Sequence, residues 1–348
     1  MKKSLLALAV LGAFAGAASA QSSVTVYGIV DVSISSIDSG AERTLGMDSG
    51  RNNASRIGFK GVEDLGNGLK GEFVLENGFN VSNGQQSSSA SAAFSRLAYV
   101  GLNGGFGTVR MGRQNSPMKT ALDAIDPFTG GGVGGAINYI GNGSTPERVS
   151  NQLTYISNNF GGFQGSVAYK FGEVTGVNSA NQGYAAQLGY GNGPLNVQFA
   201  YADNNVSNET ATGIPVTTVD SDTQHMFIGA TYNFGAFKLH GGFQDFEVEN
   251  NITGTTTAEG ESYILGATVP FGASALRASY IRNNLDEANK DSDIYALSYT
   301  YAMSKRTTLY TTYVHASNDS AQNVGVGGNV DANGRNGSGL FAGVQHNF

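Results

Sequence analysis

In Arg56-Ile57-Gly58-Phe59-Lys60-Gly61 basic and apolar residues alternate, so extended backbone sends Arg56 and Lys60 to one face and Ile57 and Phe59 to the other. Arg110, between Val109 and Met111, repeats the arrangement, and Arg148 stands in phase with Ser150, Gln152 and Thr154. Fixed cations on one wall of an enclosed, low-dielectric space focus a field that sorts small ions by sign. That is selection without bond-making. The residues for bond-making are absent or scattered. There is no cysteine, and His225, His240, His315 and His346 show neither metal-ligand spacing nor a serine in a nucleophile context. A hydrolase built on His, Ser and acid groups is therefore disfavoured, and neither cofactor nor metal is implied.

Such a wall needs an element with one apolar and one polar face, and period-two alternation runs through nearly the whole chain. Leu195, Val197, Phe199 and Tyr201 interleave with Asn196, Gln198 and Ala200, and Tyr295, Leu297, Tyr299 and Tyr301 interleave with Ala296, Ser298 and Thr300. Sixteen strands are predicted, from 24–34 and 53–64 through 92–103, 107–114 and 148–157 to 306–315 and 338–348. Seven short connections, such as Leu65-Gly66-Asn67-Gly68 and Phe271-Gly272-Ala273, alternate strictly with eight long ones rich in Gly, Ser, Asn and Thr. A soluble sandwich has no reason to separate long from short connections, whereas a barrel crossing an outer membrane has short turns on one side and long loops on the other. The fold class is all-β: a 16-stranded antiparallel transmembrane β-barrel, wide enough for an aqueous lumen.

Composition agrees. The 348 residues include 50 glycines without a Gly-X-Y period, 40% apolar residues and no tryptophan, which excludes collagen and argues against a disordered chain. A net charge of −7 makes a nucleic-acid partner implausible. Lys2 and Lys3, the apolar stretch Leu5 to Ala15 and the small residues Ala18-Ser19-Ala20 read as a signal peptide over 1–20, leaving 21–348 as one exported barrel domain. Beyond it no apolar run approaches the roughly 18 residues of a membrane helix. Phenylalanines beside the short turns (Phe106, Phe160, Phe163, Phe234, Phe237, Phe271) suit an interfacial girdle. The connection over about 115–147 carries Met118, Leu122, Ile125, Phe128 and Ile137, too apolar for a loop in water. It is expected to fold back against the inner wall, or else to contact a neighbouring subunit.

The run Ser55-Arg56-Ile57-Gly58-Phe59-Lys60-Gly61-Val62-Glu63-Asp64-Leu65-Gly66-Asn67-Gly68-Leu69-Lys70 resembles the general porins of Gram-negative outer membranes, in their β-proteobacterial (neisserial and Burkholderia-type) branch. So do Val24-Thr25-Val26-Tyr27-Gly28, Arg96-Leu97-Ala98-Tyr99-Val100-Gly101-Leu102, Arg110-Met111-Gly112-Arg113-Gln114 and Asn159-Phe160-Gly161-Gly162-Phe163. The resemblance implies a homotrimer of barrels, each holding a water-filled pore narrowed by an inward-folded third loop. It implies a basic cluster at Arg56, Arg96 and Arg148 facing that loop, a segment of which Asp126-Pro127-Phe128 resembles; the acids of the opposing wall are expected to be Asp123 and Asp126. Simple alternation puts Arg96 on the face of Ala98, Val100 and Leu102, so a bulge or irregularity is needed to aim it inward. The resemblance also makes the last strand, with Leu340, Val344, His346 and the terminal Phe348, the signal read by the outer-membrane assembly machinery.

The functional expectation is a nonspecific pore for passive diffusion of small hydrophilic solutes and ions, leaning toward anions through Arg56, Lys60, Arg110 and Arg148. A substrate-specific channel and a loop-based adhesin or receptor barrel are the competing readings. No row of aromatics is legible on the polar faces, which places the specific channel second. The acidic surplus falls near long loops, at Glu247, Glu249, Asp286, Glu287, Asp291 and Asp293. A mouth of that kind is either solvated or draws divalent cations that bridge it to lipopolysaccharide phosphates.

Overall fold

The computed structural model describes residues 23–87, 92–173, 180–207, 220–327 and 332–348, and the predicted leader over 1–20 lies outside them. The described residues form one antiparallel sheet of seventeen strand segments. In order these are β1 (Ser23–Asp38), β2 (Arg43–Ser49), β3 (Arg56–Gly66), β4 (Leu69–Gly78), β5 (Leu97–Gly104), β6 (Gly107–Asn115), β7 (Arg148–Ile156), β8 (Phe163–Lys170) and β9 (Gly183–Asn192). There follow β10 (Leu195–Ser207), β11 (Asp220–Asn233), β12 (Lys238–Asn250), β13 (Thr255–Phe271), β14 (Ser274–Leu285), β15 (Ser292–Ala302), β16 (Thr307–Asn318) and β17 (Gly337–Asn347). Between β6 and β7 lie one α-helix, α1 (Pro117–Ile125), and two short 3-10 turns, Ala136–Asn138 and Ile140–Gly143.

The seventeen segments make sixteen crossings, because β2 and β3 are halves of one interrupted strand, both paired with β1. Closure comes from β1 and β17, in register from Ile29↔Asn347 to Asp38↔Ser338. Gly28 and Phe348 then exchange both backbone hydrogen bonds, each at 3.1 Å. A closed barrel leaves no edge strand, which is the only way extended backbone satisfies its polar groups in lipid.

The two faces of each strand follow from alternation. On β15, Ser292, Ile294, Ala296 and Ser298 are buried on the inner side, whereas Tyr295, Leu297 and Tyr299 are exposed. The same inversion of the usual soluble pattern recurs around the wall, with Leu188, Leu265 and Leu340 all more than half exposed. Only a surrounding apolar solvent makes so continuous a greasy exterior stable. The short turns hold their predicted places. At the first, Gly66, Asn67 and Gly68 all have positive φ (86°, 52° and 78°), a geometry that favours Gly and Asn over any branched residue.

Two departures from the sequence reading matter for the lumen. The strand predicted over 53–64 begins at Arg56, and the unpredicted segment β2 precedes it across 50–55, a Gly- and Asn-rich stretch that leaves the wall, with Asn52 and Asn53 donating backbone N–H groups to Asp31 Oδ2 at 3.1 and 2.7 Å. The strand predicted from 92 begins at Leu97.

At the closing seam, a Cβ on Gly28 would run into the Phe348 ring and the Arg56 carbonyl oxygen. Gly28→Val should therefore cost about 1–3 kcal/mol by overpacking. The fraction of refolded protein that migrates as folded barrel in unheated detergent gels should fall accordingly.

Candidate functional site

The connection between β6 and β7 lies inside the barrel. Ser116 caps α1 by accepting the Lys119 backbone N–H at 2.9 Å, and Pro117 opens the helix where its missing N–H costs nothing. The apolar stripe Met118, Ala121, Leu122 and Ile125 is wholly buried against the inner side of β9–β11, where it meets Ala200, Ala202 and Phe227. His240 Nδ1 donates to the Ile125 carbonyl at 2.6 Å, tying the helix end to β12. Asp126, 2% exposed, accepts the backbone N–H groups of Phe128, Gly130 and Ala136 at 2.9–3.0 Å and so fixes the turn after the helix. Burial pushes its carboxyl up in pKa, and those N–H groups oppose the shift.

The loop then crosses to the broken strand, where the Val133 N–H donates to the Arg51 carbonyl at 2.8 Å. Arg277 on β14 braces this crossing, its guanidinium 5.2 Å from the Phe128 ring centre and 2.9 Å from Asn52 Oδ1. On the return, the Gly141 N–H donates to Ser262 Oγ at 2.9 Å, and Gln244 Nε2 donates to Thr145 Oγ1 and His225 Nδ1, each at 2.8 Å. The loop is anchored along its length, not at its ends alone.

Between this loop and the β3–β7 wall remains an open cavity of about 960 Å³. Its lining carries the cations Arg51, Arg56, Arg96, Lys119 and Arg148 and the acids Glu76, Asp123 and Glu147. Glu76 Oε1 pairs with Arg96 Nε at 2.6 Å and Arg56 Nη1 at 3.8 Å. Lys119 Nζ lies 3.0 Å from Asp123 Oδ1 and 3.5 Å from Glu147 Oε1, which also takes Arg148 Nη2 at 2.6 Å. Each acid is thus held by at least one cation, and the lining carries five cations to three acids, Arg51 being paired in turn to Asp48 outside the lining at 3.1 Å. Burial pushes the Asp123 carboxyl up to about 6, against the pull of Lys119.

The structure brings Arg56, Arg96, Arg148 and Asp123 together. Arg96 needs no bulge: it precedes β5, outside that strand's alternation, and turns inward to Glu76. Asp126 corrects the sequence reading, because burial beneath the loop makes it a backbone acceptor and takes it out of the acidic wall. Lys60 and Arg110 face the lumen away from the cavity lining, nearer the short turns, with Lys60 5.2 Å from the Tyr27 ring centre and Arg110 paired to Glu72 at 2.6 Å. Leu340 and Val344 are exposed on the outer face of β17, His346 Nδ1 lies 3.0 Å from Thr307 Oγ1, and Phe348 sits at the seam. Sequence reasoning missed Arg51, Lys119, Glu76 and Glu147. Glu76 was accessible, since Glu72, Val74 and Glu76 share the inner face of β4, and Lys119 stands four residues from Asp123, one helical turn.

A closed barrel with a water-filled, charge-lined constriction defines a diffusion channel of the outer membrane. The family description Gram-negative porin matches residues 7–322, and the chain belongs to that family. It is 34% identical to outer membrane porin protein 32 of Delftia acidovorans, over the whole of both chains. It is 32% identical to the major outer membrane protein P.IB of Neisseria gonorrhoeae, over 88% of this chain and 91% of that one. Among solved structures, an anion-selective porin from Comamonas acidovorans superposes with a TM-score of 0.83 at 30% identity, covering 94% of this chain and all of the other. The chain is an outer-membrane porin.

Replacing Asp126 with Ala orphans three backbone N–H groups, at a cost of about 1–3 kcal/mol for a buried group left unpaired. The loop should then become cleavable by added protease in the folded barrel, and single-channel current noise should rise.

Proposed function

We propose that the pore passes small hydrophilic solutes by passive diffusion, without catalysis, and that its constriction favours anions. The observation that carries this reading is the surplus of five cations over three acids in the cavity lining. Arg51, Arg56, Arg96, Lys119 and Arg148 act where low-dielectric walls focus their field, so they outweigh the acidic residues on the outer surface. Lys60 and Arg110 extend the basic wall toward the periplasm. The solved relative from Comamonas acidovorans, described as anion-selective, supports the same sign. Small anions and polar solutes are the cargo.

A homotrimer belongs to this reading. Among the described residues, the large exposed hydrophobics before Phe106 are all aliphatic or Met, including Val24, Val26, Leu45, Met47 and Val100. Aromatics join them only from Phe106 onward. Lipid-facing walls place rings at the interfaces, and the rings on the outer face of β1–β6, Phe59 and Phe73, are only half-buried among aliphatic neighbours, so this face suits contact with protein. In the outer membrane the remaining wall meets lipids and lipopolysaccharide. The outward row Leu340, Val344, His346 and Phe348 is the segment offered to the assembly machinery.

Two electrical measurements test the constriction. In a tenfold potassium chloride gradient across a planar bilayer, the reversal potential should lean toward chloride, and Arg56→Glu should shift it toward potassium. An unchanged potential would remove Arg56 from the selective point. Lowering the pH through about 6 adds a proton to Asp123 and removes one negative charge from the wall. Chloride preference should therefore rise over that interval, and the step should vanish in Asp123→Asn.

A further inference from the structure

Below the arginine cluster the inner wall changes character. Polar side chains line most of the lumen, yet Tyr27, Val74, Leu97 and Tyr99 are all half-buried on the inner face of β1, β4 and β5. The register makes them contiguous. Tyr27, Gly58, Glu76 and Leu97 lie opposite one another across β1, β3, β4 and β5, and one step nearer the short turns lie Lys60, Val74 and Tyr99. Gly58 has no side chain, and the Tyr27 ring occupies the space, 2.5 Å from where a Cβ would stand. The result is a lane of rings and aliphatic side chains, with Glu76 and Lys60 set into it, down one side of the channel.

Cations stand at both ends of the lane. Arg56 and Arg96 lie at its upper end in the constriction. At its lower end the Lys60 ammonium is 5.2 Å from the Tyr27 ring centre and the Arg110 guanidinium 4.9 Å from that of Tyr99. Arg110 is already paired to Glu72, whereas Lys60 is exposed and makes no ion pair among the described residues. Glu72 and Glu76 repel any second negative charge, so the lane suits a single one. A carboxylate drawn to Lys60 or to Arg96 would bring whatever it carries alongside Tyr27, Tyr99 and Val74.

We propose that this lane is a binding subsite for monocarboxylates with an aromatic body, which the channel takes up in preference to aliphatic acids of similar charge and smaller size. The proposal rests on the anion-leaning pore and gives it a class of solute. A plain sieve ranks monovalent anions by size, so an aryl acid would cross more slowly than an aliphatic one. The lane reverses that order, because ring-on-ring contact and apolar burial favour the larger solute. Loss of one aromatic partner is worth roughly threefold to tenfold in occupancy.

The test is chloride conductance in planar bilayers as potassium benzoate or potassium propionate is titrated in, each current referred to the same channel's value in potassium chloride alone. Benzoate should depress the current saturably, with half-effect at a concentration several-fold below that of propionate. In Tyr99→Ala, and in the isosteric Val74→Thr, the two acids should converge. Equal effects in the wild-type channel, or a benzoate preference that survives in both variants, would overturn the subsite while leaving the anion-leaning pore intact. A wild-type channel that carries no chloride current would overturn the pore reading and this one with it.

Discussion

Every backbone N–H and C=O that crosses a bilayer needs a partner within the protein, because hydrocarbon offers none. For extended chain the answer is closure, and here closure rests on the pairing of β1 with β17 and of Gly28 with Phe348. Sixteen crossings then set a circumference too wide for side chains to fill. The lumen stays wet, and the problem passes from holding the wall together to narrowing the space it encloses. The loop between β6 and β7 and the inward turn at 50–55 meet that need from two sides, joined where Val133 donates to Arg51.

A segment inside a water-filled lumen gains less from apolar burial than one in a dry core, so its anchors are mostly polar. The exception is α1, whose stripe of Met118, Leu122 and Ile125 makes with Phe227 the nearest thing this protein has to a conventional core. Beyond it the loop depends on the Asp126 turn, the Arg277 brace and the Gln244 network. These contacts also set the electrostatics. Lys119 and Arg148 lie against the loop acids Asp123 and Glu147, so the loop side of the channel contributes little negative field. The wall side carries Arg56 and Arg96 with only Glu76 between them.

The wall was legible because its rule has period two and applies almost everywhere. Strand order, short turns and outward aromatics all follow from Leu195-Asn196-Val197-Gln198-Phe199 and its equivalents. The site was legible only where it sits on regular strand, as with Arg56 and Arg148. Arg96 lies just before a strand, and its direction depends on a boundary that alternation does not mark. Asp126 has the sequence of an acidic wall residue, but three nearby N–H groups without other partners made it a structural acceptor. The break at 50–55 left only a cluster of Gly, Asn and Ser, which signals irregular backbone without saying that it folds inward. Tyr27 and Tyr99 were overlooked because each stands alone in its strand, and only the register across β3 and β4 makes them neighbours.

Selectivity in such a channel depends as much on stiffness as on charge. An arginine free to swing presents an averaged field, screened within about 8 Å at physiological salt. Arg56 and Arg96 are instead drawn to one buried carboxylate, with Tyr27 donating to its other oxygen at 3.0 Å. Glu76 subtracts a charge from the basic wall and, in exchange, fixes where the remaining positive field points. The opposing loop is held at the helix end, at its crossing and on its return, so the gap between the walls is fixed as well. An acid in the middle of a basic cluster is thus consistent with anion passage: it supplies the geometry through which the surplus cations act.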